Sequence, residues 1–232
     1  KAASAIAVSY LSFLVTAMAQ DYYPRISSVR EQPHAMVTLI NEQTRLIMLL
    51  AAPVILFTLA LVPFIVPILY SRRFMPTSDI LEWQLIGDLF KFSSWTLSYA
   101  ILARCKPSVY LLTESFNGLV TISCTWLAVH QFGLQGLGIG FIASTLLYFI
   151  FVWVVLRREI PLIWSRQNKQ LLFLAVGAAA IVRGLSFTSL EPYRLAIALV
   201  LAFLFGAYSL RMLWQEFKSE SSNKTPQAPA TA

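Results

Sequence analysis

The sequence predicts an all-α, polytopic membrane helical bundle of about seven transmembrane helices. Three observations predict it. Of the 232 residues, 57% are hydrophobic and only 12% are charged, roughly half the charged share of an average soluble domain, and the mean hydropathy is +0.66. Seven apolar stretches approach or exceed the ~20 residues that cross ~30 Å of hydrocarbon as a helix. None alternates with the period of two that a membrane barrel strand requires.

The spans are expected near 2–19, 46–70, 85–103, 108–130, 134–156, 170–190 and 194–214. The first, AASAIAVSYLSFLVTAMA behind Lys1, has signal-peptide features: a leading Lys and the small-residue element Ala17–Met18–Ala19. It is long for a signal core and six further spans follow, so it reads as a membrane helix of an N-terminally truncated chain. Pro24 ends that helix, and Pro33 suits the first turn of the next. Residues 34–45 read as an interfacial lead-in, with Tyr22 and Tyr23 in the headgroup layer.

The second span carries Pro53, Pro63 and Pro67, which should bend it and free backbone carbonyls. The fifth opens on Gly133, Gly136, Gly138 and Gly140. A phosphate-cradling loop needs a following Lys-Ser/Thr or a preceding strand, and neither is there. The pair Gly136 and Gly140 instead predicts close helix packing of the Gly-x-x-x-Gly kind. Cys105 and Cys124 lie on different helices without a pairing pattern and read as small packing residues. The end of the chain, SESSNKTPQAPATA, lacks apolar content and is expected to be disordered. Its Asn223-Lys224-Thr225 glycosylation pattern falls on the cytoplasmic side and is expected to go unused. Three regions follow: a five-span lobe over 1–160, two added helices over 161–214, and a disordered cytoplasmic tail over 215–232.

Charge sets the orientation. Of the 18 Lys and Arg residues, twelve lie in the segments 20–45, 104–107, 157–169 and the tail from 211. The opposite side holds Lys1, Arg72, Arg73 and Arg194, and Lys91 and Arg183 lie within spans. By the positive-inside rule the side with twelve is cytoplasmic. The outer connections 71–84, 131–133 and 190–193 are too short to hold a catalytic domain. The net charge of +7 thus reports membrane topology rather than nucleic-acid binding.

Within this apolar chain, polar residues fall in stripes. Wound at 100° per residue, Gln84, Asp88, Lys91, Trp95 and Ser98 occupy an arc of about 80°. Glu114, Asn117, Thr121 and Thr125 cluster on one face of the next span. A charge at a helix centre costs ~2.5–3.5 kcal/mol on insertion scales, so such residues face a protein interior or a wet cavity. Two neighbouring polar faces predict one shared space. The plain alternative is that Lys91 snorkels outward and Asp88 neutralises it. Arg183 is the deepest cation, and reaching the outer surface is the structural reading beside a substrate-binding one. His34 and His130 have no companions for metal binding, and no ATP-hydrolysing element is present.

The segment SRRFMPTSDILEWQLIGDLFKFSSWTLSYAILARCKPSVYLLTE resembles the Wzx-type O-antigen and lipid III flippases of the polysaccharide transporter family, within the multidrug/oligosaccharidyl-lipid/polysaccharide exporter superfamily. DYYPRIS is similar to that family's element after a helix, and FGLQGLGIGFIASTLLYFIFVWVVLRR to its GL-x-G helix followed by basic residues. The resemblance runs from about residue 5 to 159 and is most specific around Trp83–Asp88.

The resemblance implies an inner-membrane protein of two six-helix lobes around a central cavity, of which this chain is the C-terminal part, partnered by a missing N-terminal lobe. It implies a glycan on undecaprenyl pyrophosphate as substrate, moved from the cytoplasmic to the periplasmic leaflet. A polysaccharide polymerase and a chain-length regulator are implied partners beside the lipid bilayer. No cofactor is expected beyond a coupling ion, H+ or Na+, and neither a catalytic residue nor a metal site. The expected substrate-binding residues are Gln84, Asp88, Lys91, Ser98, Glu114, Asn117, Thr121 and Arg183. The competing readings are a multidrug or small-cation exporter, a polymerase or ligase of lipid-linked glycans, and a non-transporting scaffold.

Overall fold

A computed structural model describes residues 16, 18–69, 75–188 and 191–223. Among these the chain is helical throughout, with short turns. Residues 18–28 form α1. It is followed by α2 (Pro33–Leu69), α3 (Met75–Arg104), α4 (Pro107–Phe132), α5 (Gly136–Glu159), α6 (Arg166–Leu185) and α7 (Arg194–Asn223). Most of the span expected at 2–19, Lys1, Arg72 and Arg73 lie outside the described residues.

Four stretches are long and apolar enough to cross a membrane: Pro33–Val66, Pro107–Glu159, Arg166–Leu185 and Arg194–Glu216. The second comprises two helices, α4 and α5, folded back on each other. The turn between them is made at Gly133, whose φ of 61° is open to glycine at no steric cost. Its N–H caps the Val129 carbonyl. The four stretches therefore hold five helices. The remaining long helix, α3, is too polar to qualify by composition alone, and it lies enclosed between α2 and α5.

Four boundaries differ from expectation. Pro24 does not end the first helix, since α1 runs through it to residue 28. The lead-in at 34–45 is no separate element: α2 runs unbroken for 37 residues, about 55 Å at 1.5 Å per residue, so its first turns extend beyond the hydrocarbon. The outer connection at 71–84 is far shorter, because α3 already begins at Met75. Asp79 and Glu82 look like loop residues in the sequence, yet both are ion-paired to α6. At the other end, α7 continues to Asn223, well past 214.

The packing order is α4 on α5, α5 on α3, α3 on α2, and α2 on both α6 and α7. α4 meets α3 sparsely. In lipid, helices associate through close packing and polar contacts rather than by escaping water. Both devices appear here. A Cβ on Gly140 would come within 2.6 Å of Thr125 Cα, and one on Gly136 would collide with the Ala128 carbonyl, so the expected small-residue contact joins α5 to α4. Gly87 makes the same room between α3 and Phe141 of α5.

The interior has two parts. Toward the cytoplasmic side, Tyr22 and Ile26 of α1 pack with Met36 and Ile40 of α2, Leu97 and Ile101 of α3, and Val152 and Leu156 of α5. The other part joins Ile55 and Leu59 of α2 to Leu89 of α3, Ala175 and Ala179 of α6, and Ala198 and Ala202 of α7. Large apolar side chains such as Ile122, Phe173, Phe203 and Leu210 point outward, as helices surrounded by lipid require.

Polar fastenings hold α6 and α7. Ser165 caps α6 by accepting from the Asn168 N–H at 3.1 Å. Asn41 of α2 accepts from the Ser165 N–H at 2.8 Å and donates to the Ile163 carbonyl at 3.0 Å. Asn168 in turn donates to the Asn41 carbonyl at 2.9 Å. Arg45 of α2 donates to Gln167 at 3.0 Å and pairs with Glu216 of α7. At the outer end, Arg183 of α6 and Arg194 of α7 both reach Glu82 of α3.

Candidate functional site

A cavity of about 440 Å³ opens between α3, α4 and α5. Its walls follow from helical periodicity. Lys91, Ser94, Trp95, Ser98 and Tyr99 come from α3, at intervals of one and two turns. Tyr110, Glu114, Asn117 and Thr121 come from α4 in the same way, and Phe141, Thr145 and Tyr148 from α5. The sparse contact between α3 and α4 leaves the space, and α5 closes it behind.

Polar order is concentrated at the cytoplasmic end. Tyr148 Oη donates to Glu114 Oε1 at 2.6 Å and lies 3.2 Å from Ser98 Oγ, and Ser98 Oγ donates to the same Glu114 oxygen at 3.0 Å. One carboxylate oxygen thus takes two hydroxyl bonds from two other helices. Glu114 Oε2 has no hydrogen-bond partner among the described residues, and Glu114 is one of the residues lining the cavity. Hydrogen bonds to an ionised acceptor are the stronger kind, and in a low-dielectric bundle they fix the carboxylate's position.

Toward the outer end stands Lys91, about 10 Å along α3 from Ser98 at 1.5 Å per residue. Its ammonium lies 5.9 Å from the centre of the Phe141 ring, a separation at which the ring face attracts a cation. Trp95 and Tyr99 form a continuous aromatic wall, with centroids 4.8 Å apart. Behind it Tyr22 packs at 6.0 Å from Trp95 and donates to the Thr96 carbonyl at 3.0 Å. This ties α1 to the back of the cavity wall.

Of the residues expected to bind substrate, Lys91, Ser98, Glu114, Asn117 and Thr121 line this one cavity. Gln84 and Asp88 continue the stripe outward but are not among its lining residues. The expected close pairing of Asp88 with Lys91 is not seen: among the described residues no ion pair within 4.0 Å joins them, and Asp88 has no hydrogen-bond partner.

Arg183 is elsewhere. It is 5% exposed, pairs with Asp79 at 3.0 Å and with Glu82 at 3.2 Å, and lies between Trp83 (5.2 Å) and Phe187 (4.7 Å). A guanidinium with both forks taken up by carboxylates and its faces against two rings is a fastening of α6 to α3. It does not reach the cavity.

Tyr148, Thr145 and Phe141 were not singled out from the sequence. Their signal was there: Phe141, Thr145 and Tyr148 recur at four- and three-residue steps on one face of the fifth span, and Tyr148 interrupts an otherwise apolar run.

Comparison with known proteins bears on the family. Residues 1–79 match the family described as "Polysaccharide biosynthesis protein". The chain is also 26% identical over 148 residues to the lipid III flippase of Escherichia coli (strain K12), and equally to that of Shigella flexneri. Over that stretch the chain is similar to lipid III flippases. The match takes in 63% of this chain and 35% of each of these proteins, so the chain spans about a third of their length. No solved structure matches. Together with its apolar helices, the kinship makes this a multi-pass protein of the bacterial inner membrane.

Proposed function

We propose that the chain forms part of a flippase that moves an oligosaccharide linked to undecaprenyl pyrophosphate from the cytoplasmic to the periplasmic leaflet, for O-antigen or a related surface polysaccharide. The observation that carries this reading is the gathering of Lys91, Ser98, Glu114, Asn117 and Thr121 around one cavity within an otherwise apolar bundle. A sugar head cannot enter hydrocarbon without losing its hydrogen bonds to water, at several kcal/mol per uncompensated polar group. Its polyprenyl tail can remain in lipid. A polar cavity within a membrane bundle meets both needs, and kinship to flippases supports it.

Lys91 supplies positive potential toward the anionic or acidic part of the head. Asn117 and Thr121 replace water on the sugars. Asp88, unpaired outward of the cavity, is the carboxylate we assign to a coupling ion, H+ or Na+. The rest of the passage belongs to the N-terminal lobe, and handover to a polymerase and chain-length regulator lies downstream. Transport of this kind needs no nucleophile or general base, and we read the protein as a carrier rather than an enzyme. In the full-length protein, Lys91→Ala is expected to reduce surface glycan display while leaving membrane expression normal. Wild-type display from that variant removes Lys91 from the passage.

A further inference from the structure

The cavity is not uniformly cationic. Its cytoplasmic half is built around a lining carboxylate, Glu114, whose Oε1 takes two hydroxyl donors and whose Oε2 has no hydrogen-bond partner among the described residues. Two properties follow. A fixed, ionised acceptor facing a low-dielectric space attracts hydrogen-bond donors, most strongly cationic ones, and repels anions. Beside it stand Trp95 and Tyr99, whose rings offer an extended apolar face. Such a face suits the C–H side of a pyranose ring, while the ring's hydroxyls turn to polar partners. Lys91 lines the other end of the same cavity, about 10 Å from Ser98 along the axis of α3.

We propose that Glu114, Ser98 and Tyr148, with Trp95 and Tyr99, form a glycan subsite selective for a neutral or amino sugar and closed to acidic sugars and pyrophosphate. The proposal rests on reading the cavity as a glycan passage. It adds which part of the lipid-linked head this lobe holds: a donor-bearing sugar ring lies against Glu114, and the anionic portion stays clear of it. Tyr148 is a positioning residue here, because its hydroxyl aims the carboxylate and is itself spent on that bond.

The test uses the full-length protein in nanodiscs and ligand-detected NMR with three probes: glucosamine, methyl glucoside and glucuronate. Below neutral pH, where the amine is protonated, glucosamine is expected to bind best and glucuronate at least about tenfold more weakly, a difference the size of one charge-assisted contact. Glu114→Gln keeps an acceptor oxygen for Tyr148 and Ser98, so the fold is retained. In that variant the ranking is expected to collapse. Trp95→Ala should weaken all three probes alike. Equal binding of glucuronate by the unmodified protein, binding of none of the probes, or an unchanged ranking in Glu114→Gln overturns the subsite. Flipping of lipid-linked glycan in liposomes separates the two readings. A preserved ranking without flipping leaves the subsite standing and removes the flippase, whereas flipping without any ranking removes the subsite alone.

Discussion

Tyr148 Oη stands 2.6 Å from Glu114 Oε1, a bond that crosses from α5 to α4 beneath the cavity. With the Ser98 bond to the same oxygen, it accounts for the side-chain hydrogen bonds that join α4 to other helices among the described residues. Removing the phenol while keeping the ring isolates its contribution. Tyr148→Phe is expected to lower stability by about 1.5–3 kcal/mol, the range for a hydrogen bond to a charged group, read as a drop in melting temperature of the detergent-purified protein. A variant as stable as the parent means that the bond is not formed in the membrane.

Arg183 gives the opposite kind of prediction. Glu82 is 2% exposed, and deleting one member of a buried ion pair typically costs about 3–5 kcal/mol. Arg194 still serves Glu82, so Arg183→Ala should fall at the low end and show as poor folded yield. Glu82→Gln in the same chain should recover part of the loss. Normal yield with abolished glycan display points instead to a substrate role for Arg183.

The glycine contacts make a paired test. A Cβ at Gly140 meets the backbone at Thr125, whereas one at Gly118 meets nothing within 4 Å. Gly140→Ala is expected to cost about 1–3 kcal/mol through overpacking and Gly118→Ala almost nothing, as compared by thermal melting. Equal effects mean that α4 and α5 are not held this closely.

Water access can be mapped with single cysteines in a background lacking Cys105 and Cys124. Cysteines at 91, 117 and 121 should react with a membrane-impermeant maleimide. Those at 175 and 179, buried between α6 and α2, should not. If the first group stays unlabelled under every condition, there is no aqueous space between these helices.

The native Cys105 lies outside the spans, between α3 and α4. Burial raises its thiol pKa above the ordinary value, and the Glu159 carboxylate adds to that, against a smaller opposing effect of Arg104. A raised pKa means less thiolate at any given pH, and the thiolate is the reactive form. Alkylation of Cys105 should therefore be slow at neutral pH and accelerate only at pH values above those needed for a free thiol. Fast alkylation at neutral pH contradicts the half-buried position beside Glu159.

The spans and two sides of the cavity were legible because both rest on periodicity. Lys91 and Ser98 are seven residues apart, as are Glu114 and Thr121, and a helix places each such pair on one face. The small-residue contact of Gly136 and Gly140 was legible for the same reason. What periodicity omits is the partner across the gap. Tyr148 is one hydroxyl in an apolar run, and its role depends on α5 folding back so that residue 148 meets residue 114. The early start of α3 was hidden because Asp79 and Glu82 are compensated by Arg183 and Arg194, far along the chain. The cavity's boundary was hidden too: Asp88 shares the stripe of Lys91, but the end of the open space is set by α4 and α5, not by α3.

The two ends of the α6–α7 hairpin are each tied down, by Arg183 and Arg194 on Glu82 at one end and by Asn168 and Glu216 on α2 at the other. α2, α3, α6 and α7 are therefore braced to one another at both ends, whereas α4 is fastened almost wholly to α5, by the Gly136 and Gly140 contacts, the Phe116–Phe151 stack and the Tyr148–Glu114 bond.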